Sequence, residues 1–194
     1  MSDTILETAR ISLRPLTLED LDALAALYAD PDVRRYFPEG TQTRDETKEE
    51  LEWIIDVYYG QYGFGLWATI EKATGTFIGR CGLLPWTIAS QHEIEVAYLL
   101  DKRYWRQGLG TEIGRALADY AFEHLPVSRV ICLIDPANQA SIGIAQKIGM
   151  VNTGDVEFDG VREPFYSLDR SSITLTVKST EDLPSLGTPH IGWL

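Results

Sequence analysis

The stretch that most restricts this chain reads RYWRQGLGTEIG, over 103–114. It follows an alternating segment, HEIEVAYLL (92–100), and opens one with Leu109, Ile113, Leu117 and Tyr120 at helical spacing. A strand, a loop with two close glycines and a helix therefore follow one another. The first N–H groups of a helix have no partner within it and lie at the positive end of its dipole. Glycines let an anion reach such groups closely. The loop is expected to hold a phosphate with main-chain groups.

Two common phosphate loops do not match. The P-loop ends in Gly-Lys-Ser/Thr, whereas Gly110 is followed by Thr111 and Glu112. The dinucleotide fingerprint needs a third glycine three residues after the second, and Gly108, Gly110 and Gly114 are spaced otherwise. A plain turn is the remaining reading of the pair alone.

Elsewhere, RISLRPL (10–16) alternates as a strand. Thr17 opens a helix with Leu21, Leu24 and Tyr28 on one side, ended by Pro31. Thr43 and Glu46 form a capping-box pattern for a second helix, with Gly60 as its stop. Strands are predicted over 64–71, 75–85, 92–100, 129–134, 151–158 and 162–170, with helices from about 108 to 123 and from 138 to Gly149. This order predicts one α/β (α+β) domain over 1–172, with a mixed, mostly antiparallel sheet of about seven strands and helices on both faces. A Ser/Thr/Pro/Gly-rich tail is expected over 173–194.

The net charge of −12 argues against tight binding to nucleic acid, which needs Lys and Arg for the phosphates. It favours cations, amines among them. No apolar run reaches the ~20 residues of a membrane span. The opening MSDTILETAR is not a signal peptide, so a cytoplasmic chain is expected. Cys81 and Cys132 read as buried thiols, and His92, His124 and His190 show no metal-ligand spacing, so no metal is expected.

Four stretches together resemble the GNAT N-acetyltransferases, in particular the RimJ/RimL-like branch that acetylates ribosomal-protein N-termini. They are GTFIGRCGL (75–83), IEVAYLL (94–100), WRQGLGTE (105–112) and NQASIGIAQKIGM (138–150). The likeness spans about 8–170. It implies acetyl-CoA as co-substrate, with its pyrophosphate on Arg106, Gln107, Gly108, Leu109, Gly110 and Thr111. It implies that the fourth expected strand splays from the fifth and that the pantetheine arm fills the gap. Leu99, Leu100 and Asp101 would then flank the arm, with Asn138 and Ser141 opposite. Asn138 reads equally well as a helix N-cap.

Acetyl transfer needs a base, a partner for the carbonyl oxygen and a route for the thiolate to leave. A lysine-like amine costs about 4–5 kcal/mol to deprotonate at pH 7, an α-amine only about 1 kcal/mol. Glu95 and Glu93, two apart on one strand face, are the candidate bases. A backbone N–H near Tyr98 or Leu99 is the oxyanion donor that the resemblance implies. Many members of the family carry a tyrosine seven residues after the Asn, where this chain has Ala145. Ser141 is then the nearest hydroxyl, unless it serves its own helix turn. A thiol leaving group, with pKa near 8.5, needs little help. The acceptor is expected under the first two helices, near Trp53, Tyr58, Tyr59, Tyr62, Trp67 and Trp86: a peptide N-terminus or a small amine, bound by a monomer or homodimer. Two rival readings are a non-catalytic CoA-binding or protein-interaction module and, less well matched, a nicotinamide enzyme.

Overall fold

The computed structural model describes residues 4–158 and 161–172, so the expected tail lies outside it. In chain order the elements are β1 (Leu6–Glu7), β2 (Ile11–Pro15), α1 (Leu21–Tyr28), α2 (Arg44–Trp53), β3 (Leu66–Glu71), β4 (Thr76–Ile88) and β5 (Gln91–Leu100). They continue with α3 (Leu109–His124), β6 (Arg129–Leu133), α4 (Gln139–Ile148), β7 (Val151–Phe158) and β8 (Val161–Asp169). The eight strands form one sheet, ordered β1-β2-β3-β4-β5-β6-β8-β7. Only β5 and β6 run parallel, because α3 carries the chain between them. The strand beyond the expected seven is β1, whose two residues are too few to show a period.

The alternation of β5 divides the core. Ile94, Val96 and Leu100 pack with Ile113, Leu117 and Ala118 of α3 and Ile148 of α4. Leu99 packs on the other face with Leu24 and Tyr28 of α1 and Leu51 of α2. Each fully buried Leu or Ile contributes roughly 1.5–3 kcal/mol. Glu93 and Glu95 share the face of Leu99, which is therefore the face toward α1 and α2.

Local signals set most boundaries. Thr17 and Asp20 close a capping box on the 3-10 turn (Leu18–Asp20) that leads into α1. Thr43 and Glu46 do the same for α2. Gly149, at φ 97, ends α4. Gly60 does not end the second helix. The chain passes through it as a π-helix, Ile54–Tyr62, and stops at Gly63 with φ 72. β4 also outruns its expected end at Pro85. Pairing of β3 with β4 stops at the Leu66–Gly82 rung, so beyond it β4 is an edge on that side, where proline is tolerated. Ala89 and Ser90, at φ 47 and 64, make the tight turn into β5 without a glycine.

Candidate active site

The glycine loop leaves β5 through a 3-10 turn, Lys102–Tyr104, and reaches α3 at Gly108. Arg106 and Gly108 both lie in the left-handed region, at φ 60 and 79. The first intrahelical donor is Glu112, whose N–H meets Gly108 O at 3.1 Å. The N–H groups of Leu109, Gly110 and Thr111 precede it and have no acceptor among the described residues. Arg106, Gln107 and Gly108 are exposed beside them. The arrangement fits a pyrophosphate.

Gly110 has a second reason to be glycine. A Cβ there would stand 2.6 Å from Ile144 Cδ1, and one at Gly114 would stand 3.4 Å from Ile148 Cδ1. The two glycines form the groove on α3 that receives the isoleucines of α4. Spacing alone suggested only clearance for the phosphate at Gly110. A further brace lay hidden in the sequence. Glu112 accepts from Arg10 Nε at 2.7 Å, Arg10 N–H at 3.0 Å and Thr8 Oγ at 2.6 Å. Burial alone would raise its carboxyl pKa; the Thr8 and Arg10 bonds outweigh that and hold it below the usual range. Arg10 Nη1 also donates to Gln107 O at 2.9 Å, which fastens the loop to the start of β2.

β5 and β6 share one rung among the described residues, Glu95–Ile131, and separate beyond it. The main chain decides which groups face the gap. Asp101 N–H donates to Ile78 O at 2.8 Å and Val96 O accepts from Cys132 Sγ at 3.1 Å. Backbone groups alternate sides along a strand, so those of Leu99 and Asp101 turn to β4 and those of Tyr98 and Leu100 turn to the gap. The expected backbone contacts from Leu99 and Asp101 are corrected by one residue. Leu100 O is taken by Trp105 Nε1 at 2.8 Å. The Asp101 carboxylate is taken by Arg103, with Nη2 at 2.6 Å.

The two carboxylates of β5 part company here. Glu93 is 4% exposed and ion-paired with Arg129 of β6, whose Nε stands 3.0 Å from Oε2. That engagement holds Glu93 as a strap between strands. Glu95 is half-buried at the mouth of the gap. Its Oε2 accepts from Trp86 Nε1 at 2.7 Å and its Oε1 from Leu133 N–H at 3.2 Å. Burial pushes its carboxyl above the usual range, while those two bonds and the Arg80 guanidinium pull against the rise. A carboxylate so raised is a candidate general base.

Across the gap, Asn138 is the N-cap of α4: its Oδ1 accepts from Ser141 N–H at 3.1 Å. The Ser141 hydroxyl makes no hydrogen bond among the described residues, so it does not serve its own helix turn. Tyr98 brings a phenol to the same spot from β5, its OH 3.5 Å from Ser141 O. Ala145 is buried in the core.

The model of the acetyltransferase (GNAT) domain family matches residues 10–151. The chain belongs to the GNAT family. This GNAT acetyltransferase is 39% identical over 148 residues to an uncharacterized protein of Bacillus subtilis, YkkB, covering 76% of this chain and 85% of that one. It is 28% identical to an uncharacterized N-acetyltransferase of Bacillus licheniformis, p20, covering 77% and 83%. Among solved structures, RimL, a ribosomal L7/L12 α-N-protein acetyltransferase in complex with coenzyme A, shares the fold at a TM-score of 0.71 and 16% identity, covering 86% and 98%. The enzyme is an N-acetyltransferase.

The GNAT enzyme's aromatic residues sort by sheet face. Trp53 and Tyr58 meet edge to face at 4.4 Å and Tyr62 follows Tyr58 at 6.2 Å, along the α2 and π-helix side. Two others leave the expected acceptor wall. Trp67 packs on the opposite face against Tyr120 of α3, at 5.5 Å. The Tyr59 hydroxyl donates to Leu66 O and accepts from Leu16 N–H, joining helix to sheet.

Proposed function

We propose that this enzyme transfers the acetyl group of acetyl-CoA to a primary amine, a protein N-terminal α-amine or a small-molecule amine, by direct attack in a ternary complex. The reaction would run in the cytoplasm. The observation that carries the reading is the pairing of two features: unbonded N–H groups at the start of α3, and a one-rung junction beside it with Glu95 at its mouth. Acetyl-CoA supplies an activated thioester carbonyl. Arg106 to Thr111 hold its pyrophosphate, and the main chain of Tyr98, facing the gap, orients the arm and stabilises charge on the carbonyl oxygen.

Glu95 takes the proton from the amine, directly or through one water. Its raised pKa serves an acceptor that is itself partly neutral at pH 7, as an α-amine is. Ser141 and Tyr98 would offer the departing thiolate a hydrogen-bond donor, and positioning supplies much of the remaining rate. The test is thiol release from acetyl-CoA across a panel of amines, with ribosomal-protein N-terminal peptides and polyamines both present, read together with mass spectra of the products. Acetyl-CoA binding without thiol release on any amine would defeat the proposal.

A further inference from the structure

On the sheet face beneath α1 and α2, Gly82 of β4 and Ala97 of β5 stand directly opposite each other. The next pair on that face in one direction is Arg80–Leu99; in the other it is Leu84–Glu95. A side chain at Gly82 is barred, since its Cβ would stand 1.9 Å from Gly65 O. Leu84, Glu95 and Ala97 are each half-buried, so helices leave this part of the sheet partly open. Along this face a guanidinium stands at one end and a carboxylate at the other, with the half-buried Ala97 between them.

Arg80 is only 6% exposed. Its Nε donates to Tyr28 OH at 2.5 Å. Tyr28 in turn donates to Glu50 Oε1 at 2.8 Å, and Gln42 Nε2 occupies Oε2 at 2.7 Å. The buried carboxylate nearest to hand therefore reaches Arg80 only through a phenol. Arg34, beside it, has its Nη2 3.5 Å from Glu39 as an ion pair, that nitrogen being buried and without a hydrogen bond among the described residues. Among the described residues, the Arg80 Nη groups have no hydrogen bond and Arg80 has no ion pair. A guanidinium carries five N–H donors, and those on the Arg80 Nη atoms are left for an acceptor that arrives. The fork of a guanidinium matches a carboxylate.

We infer that the acceptor carries a carboxylate several bonds from its amine, held by Arg80 while the amine lies beside Glu95. The inference rests on the acetyl-transfer reading. Arg80 and Glu95 are four strand positions apart along this face, about 13 Å. Their side chains cover part of that distance from each end, which leaves the span of a dipeptide, or of a peptide N-terminus with an early acidic residue. The negative charge of the whole protein would by itself have suggested a purely cationic acceptor.

The experiment compares matched acceptors on the wild-type enzyme: a dipeptide against its C-terminal amide, and a peptide beginning Ser-Asp against one beginning Ser-Asn. Binding with CoA present and turnover with acetyl-CoA are both measured. A KM at least about 10-fold lower for the carboxylate member, with similar kcat, is expected from a charge-assisted bond. Arg80→Met should erase the preference, read as the ratio of KM between the two members of each pair, and Arg80→Lys should restore part of it. The first pair reports a terminal carboxylate and the second a side-chain one. Equal KM and equal binding within both pairs would overturn the inference and leave acetyl transfer standing, with water on the Arg80 donors. Selective binding of the carboxylate members with no thiol release would keep the Arg80 site and overturn acetyl transfer.

Discussion

Glu95 of β5 accepts the Leu133 N–H of β6 at 3.2 Å, just past the one rung that joins the two strands. The side chain thus stands in for the ladder bond that the splay removes. The same carboxylate is the base we propose, so on that reading one residue holds the mouth of the gap and acts in it.

Glu95→Gln should lower kcat by about 10²- to 10⁴-fold on amines of high pKa and by less on α-amines. The wild-type rate should rise with pH through a value above the ordinary carboxylate range, because burial raises the carboxyl and only its ionised form accepts the proton. The variant should lose that limb while binding acetyl-CoA normally. Rates across pH with each amine class, beside equilibrium binding, check this; an unchanged profile removes Glu95 as the base.

Trp86→Phe deletes the 2.7 Å donor to Glu95. That bond favours the charged carboxylate, so its loss should move the acidic limb to still higher pH. The shift is read as the displacement of kcat/KM against pH. A move toward lower pH would show that the indole does not hold the ionised form.

Glu93 and Arg129 should respond unequally. Arg129→Met leaves a carboxylate that is 4% exposed without its partner, at a cost of about 2–4 kcal/mol after allowing for the half-exposed arginine. Glu93→Gln leaves Arg129 free to reach water and should cost about 1 kcal/mol. Both variants should keep the pH profile. Denaturant melts give the first comparison, and a Glu93→Gln variant that lost the acidic limb would identify Glu93 as the base.

Gly108→Ala forces a side chain into φ 79 at the start of α3. The strain, about 1–2 kcal/mol, should lower Tm by about 2–8 °C and weaken acetyl-CoA binding without disturbing the packing of α3 on α4. Gly110→Trp should instead damage both, since Ile144 already fills the space beside it. Calorimetry paired with a binding titration separates the two, and unchanged affinity in both variants would argue against the loop as the pyrophosphate site.

Much of the architecture was readable from short-range rules. The helical stripe of Leu109, Ile113 and Leu117, the caps at Thr17, Thr43, Asn138 and Gly149, and the alternation of β5 each act within a few residues and appear where the sequence places them. The exceptions have local reasons too. Gly60 was absorbed by a widened helix, and Pro85 sits where β4 has lost its neighbour on one side.

The site itself was legible only in outline. The sequence determined that a helix start with flexible main chain follows a strand bearing two carboxylates, because spacing and residue size are properties of neighbours. It could not say which carboxylate was free. Arg129, 36 residues away, claims Glu93, while Leu133 and Trp86 converge on Glu95. Nor could it show Arg10 bracing Glu112 across 102 residues, or Ile144 needing the space at Gly110. Those partners are chosen when the sheet closes and the helices pack on it. A charge or a methyl group then meets whatever the fold brings within a few ångströms, and no rule of sequence spacing reaches that far.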